Sequence, residues 1–424
     1  LTLTAGHCGQ AAPAPPQPLI PARQIGNGAL WLAVFLSGFV IREPAPYEVY
    51  MLGLLAVWMA CGLKLRREFA PLIIALLLYI AGGLASTPMT PDIGDAVFYI
   101  AITAFLALTA IFYAAVIAED PDRCRIIRKA YITSAVLVSS IGIAGYFELF
   151  PGAGYFTLYD RARGTFQDPN VFGPFLVLPA LFLVQDILRA PLRRTLPGLL
   201  ALILIVGGIF LSFSRGAWGG LALSGLILYL ITLIHVRSPL ARLRLIGLGA
   251  LGCLGVIGLL GVALSFDTVF DMFQQRARLV QEYDAARLGR FARHALGFEM
   301  VLEKPFGIGP QQFNTYFPED EHNVYLKAFT THGWLGGVTY LILAVWTLLA
   351  MVPLLFQNRP WTPFLHCIFA AFAAHMILGA VIDTDRWRHM WMLFGLAWGL
   401  IAASRLDGAP LGQFPVHLRR HAPV

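Results

Sequence analysis

The stretch DAVFYIAITAFLALTAIFYAAVIA, residues 95–118, carries one charge, Asp95, at its first position and none after it. At about 1.5 Å per residue, a helix of this length is about 36 Å long, enough to cross the roughly 30 Å hydrocarbon core of a bilayer. The same reading extends outward along the chain. Hydrophobic residues make up 58% of the 424 and charged residues 13%, against roughly a quarter charged in a soluble domain, so the class is an integral membrane protein. Alternating strand patterns of the barrel type are absent, and the spans read as helices. We expect about twelve, over 26–41, 47–63, 69–85, 95–118, 130–150, 170–188, 196–213, 217–235, 245–265, 323–356, 362–382 and 389–404. The tenth is too long for one straight span, so it is expected to lie partly outside the hydrocarbon or to break at Gly333, Gly336 and Gly337. The expected fold class is thus an all-α integral membrane protein with residues 26–404 as its membrane domain. Residues 1–25, rich in Pro, Ala and Gln, are expected to form a disordered cytoplasmic tail without a signal peptide, and 405–424 a second cytoplasmic tail.

Alternate connections set the orientation. KLRRE at 64–68, DRCRIIRK at 122–129, RAPLRR at 189–194 and VRSPLARLR at 236–244 are short and basic, which places them in the cytoplasm. The net charge of +7 is then mostly topology, and no nucleic-acid partner is expected. Cys8, Cys61, Cys124, Cys253 and Cys367 are scattered, with neither a disulfide framework nor metal-ligand spacing.

The opposite face collects a second set of arginines: Arg161, Arg163, Arg215, Arg276, Arg278, Arg287, Arg290 and Arg293. Arginines that break the cytoplasmic bias need a reason, and an anionic substrate such as a lipid-linked diphosphate supplies one. Residues 266–322 form the longest outer loop, with two segments of amphipathic helical spacing, a length usually tied to function. Four motifs carry the chemistry. RARGTFQDPNVFG (161–173) places Arg163 just outside a helix that Asp168 or Asn170 caps. LSFSRGAWGG (211–220) holds Arg215 at a membrane boundary, where it meets either a substrate anion or lipid phosphate, and its glycines read as packing positions. GRFARHALGFEMVLEKPFGIGPQQF (289–313) sets Arg290, Arg293 and His294 on one helical face; its glycines lack Walker spacing and read as turn formers. EDEHNVYLKAFTTHGWLGG (319–337) puts His322 where an acidic loop meets an apolar helix, with Asn323 placed to orient it. Histidine is the side chain best suited to moving protons near neutral pH; a structural role or a metal site among Glu319, Asp320, Glu321 and His322 are the competing readings, and no metal set is assigned.

The order RGTFQDPN, SFSRGAW, an arginine fifteen residues before the proline of KPFGIGPQQF, then HNVYL resembles the O-antigen ligase and polymerase superfamily of bacterial envelope enzymes over roughly residues 95–400. His322 and Asn323, followed after nine residues by Gly333 and then Gly336, are similar to the pattern of the ligases. The resemblance implies a glycosyltransferase C type fold in the bacterial inner membrane, acting at the periplasmic face on a glycan linked to undecaprenyl diphosphate. It implies His322 as base and Arg215 and Arg290 as diphosphate ligands, with Arg163 either a substrate contact or a residue that positions the loop or the glycan; Arg287, Arg293 and Asn323 are further candidate substrate contacts on the same face. No cofactor or metal is implied, and a single displacement would invert the anomeric centre. The acceptor is lipid A-core for a ligase, or a second lipid-linked glycan for a polymerase; the HN and GxxG spacing points to the ligase. A polysaccharide flippase is the reading from another class, against which stand the absence of an internal repeat and a site at one interface.

Overall fold

Each of the twelve apolar stretches is helical over most of its length. The computed structural model describes residues 22–62, 64–277 and 289–406; residues 1–21, 63, 278–288 and 407–424 lie outside the described residues, and with them Arg278, Arg287 and most of both expected tails. In chain order the helices are α1 (Ala22–Leu36), α2 (Pro46–Ala60), α3 (Ala70–Ser86), α4 (Ile93–Glu119), α5 (Cys124–Tyr146), α6 (Pro169–Phe175), α7 (Val177–Arg189), α8 (Leu192–Leu211), α9 (Arg215–His235), α10 (Pro239–Ala263), α11 (Asp267–Arg276), α12 (Arg290–Glu303), α13 (Phe313–Tyr316), α14 (Val324–Leu355), α15 (Thr362–Leu378) and α16 (Arg388–Leu406). Among the described residues, seven helical stretches are long and apolar enough to cross a membrane, and α2, Thr195–Leu211 and α15 are shorter apolar helices. The chain is an all-α membrane protein.

Several boundaries depart from the sequence expectation; α10, for one, starts at Pro239 and not at 245, and α1 ends at Leu36 and not at 41. Helix α1 starts at Ala22, inside the expected tail, and α5 starts at Cys124, taking the basic segment into its first turns. The stretch 170–188 is two helices, α6 and α7, that meet at Leu176; Pro174 and Pro179 flank that point, and each lacks the N–H that would continue the ladder.

Small residues set the helix spacing. Lipid tails compete with apolar side chains, so close van der Waals contact is what favours one crossing over another. On α16, a Cβ at Gly395 would lie 2.4 Å from the Ala110 carbonyl of α4, and one at Gly399 would lie 2.7 Å from Ile117 Cβ. A Cβ at Gly82 of α3 would lie 2.5 Å from His332 O and 2.7 Å from Gly336 N of α14. Helix α16 is the centre of the bundle, buried at every position from His389 to Ser404, whereas α10 at the periphery buries only Leu245.

The long helix α14 is broken at Gly333, whose φ of 63° and ψ of −170° are not helical. That break frees backbone groups, and the loop 305–309 takes them up. Trp334 N donates to Pro305 O at 2.8 Å, while Ile308 N and Gly309 N both donate to Thr330 O, at 2.8 and 3.2 Å. Gly307 sits at φ 75°, and a Cβ there would lie 2.3 Å from Thr330 O. The glycines of PFGIG therefore serve a backbone-to-backbone contact that fixes the first turns of α14. Helix α12 lies along the same segment, with Gly297 against Leu326 and Phe313.

Candidate functional site

His322 occupies the last loop position before α14, at φ 48°, with its side chain 38% exposed. Asn323 is the N-cap: its carboxamide oxygen accepts from Tyr325 N and Leu326 N at 3.0 and 3.1 Å, which satisfies two of the helix's unpaired donors. The side chain of Asn323 is thus spent on the backbone. The group that faces His322 is instead Asp383, in the turn between α15 and α16, with Oδ2 3.9 Å from His322 Nδ1. Its Oδ1 accepts the Asn323 N–H at 3.0 Å, and Val324 N donates to Gly379 O at 2.8 Å. The start of α14 is stitched to this turn at both ends.

The arginines fall at different distances from that seam. Arg290, at the start of α12, donates through Nη1 to Val381 O at 3.4 Å, two residues before Asp383. One turn on, His294 Nε2 donates to Glu321 O at 2.8 Å. Arg293 points elsewhere: it is buried and pairs with Glu319 at 2.7 Å. Arg215 opens α9 directly after Ser214, whose hydroxyl accepts from Ala217 N, and a Cβ at the adjacent Gly216 would lie 2.5 Å from Leu378 Cδ1. The N-terminus of α9 and the start of α12 therefore approach the same 378–383 segment. Arg163 is held on Tyr155 O at 2.8 Å and over the Tyr155 ring. Arg161 is a strut: Nε donates to Ser212 O and Nη2 to Asn170 Oδ1, both at 2.8 Å, fixing the turn that leads into Arg215. Asp168, not Asn170, caps α6. Arg287 lies outside the described residues.

Beside His322, the Glu321 carboxyl is buried and accepts from Thr330 Oγ1 at 2.6 Å. Burial pushes it up to about 7 against the pull of Lys327, so it exchanges protons near neutrality. Burial together with the Arg290 and Arg293 guanidinium groups holds His294 below its ordinary value. Asp385, beyond Asp383 in the turn, would be raised by burial, but the Lys327 ammonium and the Tyr99 hydroxyl hold it below the usual carboxylate range. Among the described residues no three His, Cys, Asp or Glu side chains are gathered as a metal set. Glu319 goes to Arg293, Glu321 to Thr330 and His322 to Asp383.

Residues 200–341 match the family model described as O-antigen ligase. That segment contains Arg215, Arg290, His322 and the glycines of the break, and stops short of the 379–387 turn and of Arg163. The O-antigen ligase-like segment therefore supplies the arginines and the histidine, and the rest of the chain supplies Asp383 and Asp385. No curated protein matches the chain. Asp383 and Lys327 are the site residues that motif reading missed. Lys327 did leave a signal, being the sole charged residue in α14, where a charge has to find a partner.

Proposed function

We propose that this protein is an inverting glycosyltransferase that moves a glycan from undecaprenyl diphosphate to lipid A-core at the periplasmic face of the bacterial inner membrane. One observation carries the reading: within a segment matching the O-antigen ligase family, a half-exposed His322 faces a carboxylate while Arg290 is anchored two residues from it. The acceptor hydroxyl must lose a proton as the anomeric carbon is attacked, and negative charge builds on the departing diphosphate. His322 takes the proton, and Asp383 stabilises the imidazolium that results. Arg290 and Arg215 meet the developing charge with forked hydrogen bonds. Arginines in that role make a divalent metal unnecessary, and activity is expected to persist in excess chelator.

The test is transfer by purified protein from lipid-linked glycan, offered either lipid A-core or a second lipid-linked repeat and followed by product size. Modification of lipid A-core is the expected outcome. Growth of the lipid-linked chain would make it a polymerase, and transfer to neither would sink the reading. His322→Ala is expected to slow transfer by about 10²–10⁴ with donor binding intact, the usual worth of a general base.

A further inference from the structure

We propose that Lys327 is a positioning residue of this site, whose ammonium balances the paired carboxylates of the 383–385 turn so that Asp383 meets His322 as an ion. The inference rests on the transfer reading above and names what orders its base. Lys327 is 15% exposed, and its Nζ lies 3.4 Å from Asp383 Oδ2 and 3.9 Å from Asp385 Oδ1. Two carboxylates therefore share one cation. They are not equivalent. Asp385 Oδ2 accepts from Tyr99 OH at 2.6 Å, which ties it to α4, and its backbone carbonyl accepts from Trp391 Nε1 at 2.7 Å. Asp383 is left as the member that reaches the surface, with one oxygen on Asn323 N and the other shared between Lys327 and His322. The order is Tyr99, Asp385, Lys327, Asp383, His322, running from the interior of the bundle to the mouth of α14.

The chemistry follows from charge counting. Two carboxylates held near a common point without a cation keep one proton between them to a higher pH than either would alone. A proton on Asp383 would leave the imidazolium of His322 without its counter-charge at the moment the acceptor is deprotonated. The other titratable or charged groups facing this cluster include Glu321 before α14, His294 on α12, Tyr79 on α3, His332 and Tyr340 farther along α14, and Arg386, which lies over the Tyr99 ring. Of these, burial pushes Glu321 up to about 7 and holds His294 below its ordinary value.

Lys327→Met, Asp385→Asn and the double variant test this in the full-length protein, measured for transfer and for melting temperature from about pH 6 to 9. A parallel set carries Glu321→Gln to silence that carboxyl. Lys327→Met is expected to lose transfer about tenfold for each unit by which the retained proton titrates above the assay pH, with the KM for donor little changed. Activity should return as the pH is raised. Its melting temperature should fall with rising pH more steeply than that of the wild type, because a proton held only by the folded state stabilises at low pH and is lost as the pair ionises. In the double variant Asp383 stands alone, and both the wild-type slope and most of the transfer should return. A single variant with wild-type slope and rate, or a double variant as slow as the single, would overturn the proposal. If the wild type transfers no glycan, the transfer reading fails while the melting curves still decide whether Lys327 balances the pair.

Discussion

Residue type and sidedness single out Arg290 and Arg215, and the structure brings the starts of their helices to one segment, 378–383. Lysine at either position keeps the charge and loses the fork. Arg290→Lys and Arg215→Lys are each expected to lower transfer by about 10²–10³, since a single point charge cannot match two diphosphate oxygens at once. Steady-state transfer by the two variants checks this; a wild-type rate in either would return that arginine to packing. Glu321 adds a pH signature. Its carboxyl titrates near 7 when folded, above its ordinary value of 4.5, so its neutral form is favoured by folding. The associated stability is fully present below about pH 4.5 and is lost as the pH rises through about 7. Glu321→Gln keeps an acceptor for Thr330 and removes that loss, so above pH 7 it is expected to be more stable than the wild type, by roughly 3 kcal/mol at most. Denaturation of both proteins across this range decides it. At this scale the sequence reveals which residue types are out of place, and it hides their partners. His322 stands out at a helix mouth, but Asp383 is far along the chain, and only the meeting of the α15–α16 turn with α14 makes them neighbours.

At the scale of elements, the break at Gly333 positions the site. A break in α14 was expected from its length and its glycines. That the loop 305–309 closes it was not, because hydrogen bonds from Ile308 and Gly309 to Thr330 O depend on a fold that local spacing does not record. Gly307→Ala is expected to destabilise by at least about 2 kcal/mol, combining left-handed backbone strain with a collision against Thr330 O. It should also slow transfer, since the residues it displaces carry His322 and Lys327. Gly62→Ala is the control: Gly62 has φ 86° but nothing within 4 Å of a Cβ, so it pays the strain alone and leaves transfer unchanged. Melting temperatures and rates for the two variants separate local strain from loss of the site. Equal effects on transfer would remove the 305–309 loop from any role in holding the helix mouth.

For the whole molecule, helix content and membrane class were legible from hydropathy because the bilayer imposes length and apolarity on each span. Sidedness rests on the basic loops alone, and it stands as a prediction. In a cysteine-free background, Met89→Cys and Tyr159→Cys are expected to react with an impermeant thiol reagent from the periplasm, and Ser238→Cys only after the membrane is opened. All three positions are exposed. The opposite pattern would put the His322 face in the cytoplasm and end the proposed chemistry. Packing was not legible: α10 is apolar enough to rank among the candidate spans and is almost wholly exposed, whereas α16 falls outside them and is buried on all sides.

That burial has a consequence for biosynthesis. Of the described helices, α16 is the last to leave the ribosome, yet it is the one around which α4 and α14 close. Until it enters the membrane, the close-contact stripe of α4 at Ala110 and Ala114 has only lipid or another protein to meet, and Asp385 lacks its Trp391 contact. The nascent chain must hold an open centre through most of its insertion. A chain stopped before Arg388 would not be a shortened version of this fold; it would be a bundle with its axle missing, exposed to whatever membrane quality control recognises an unfilled groove.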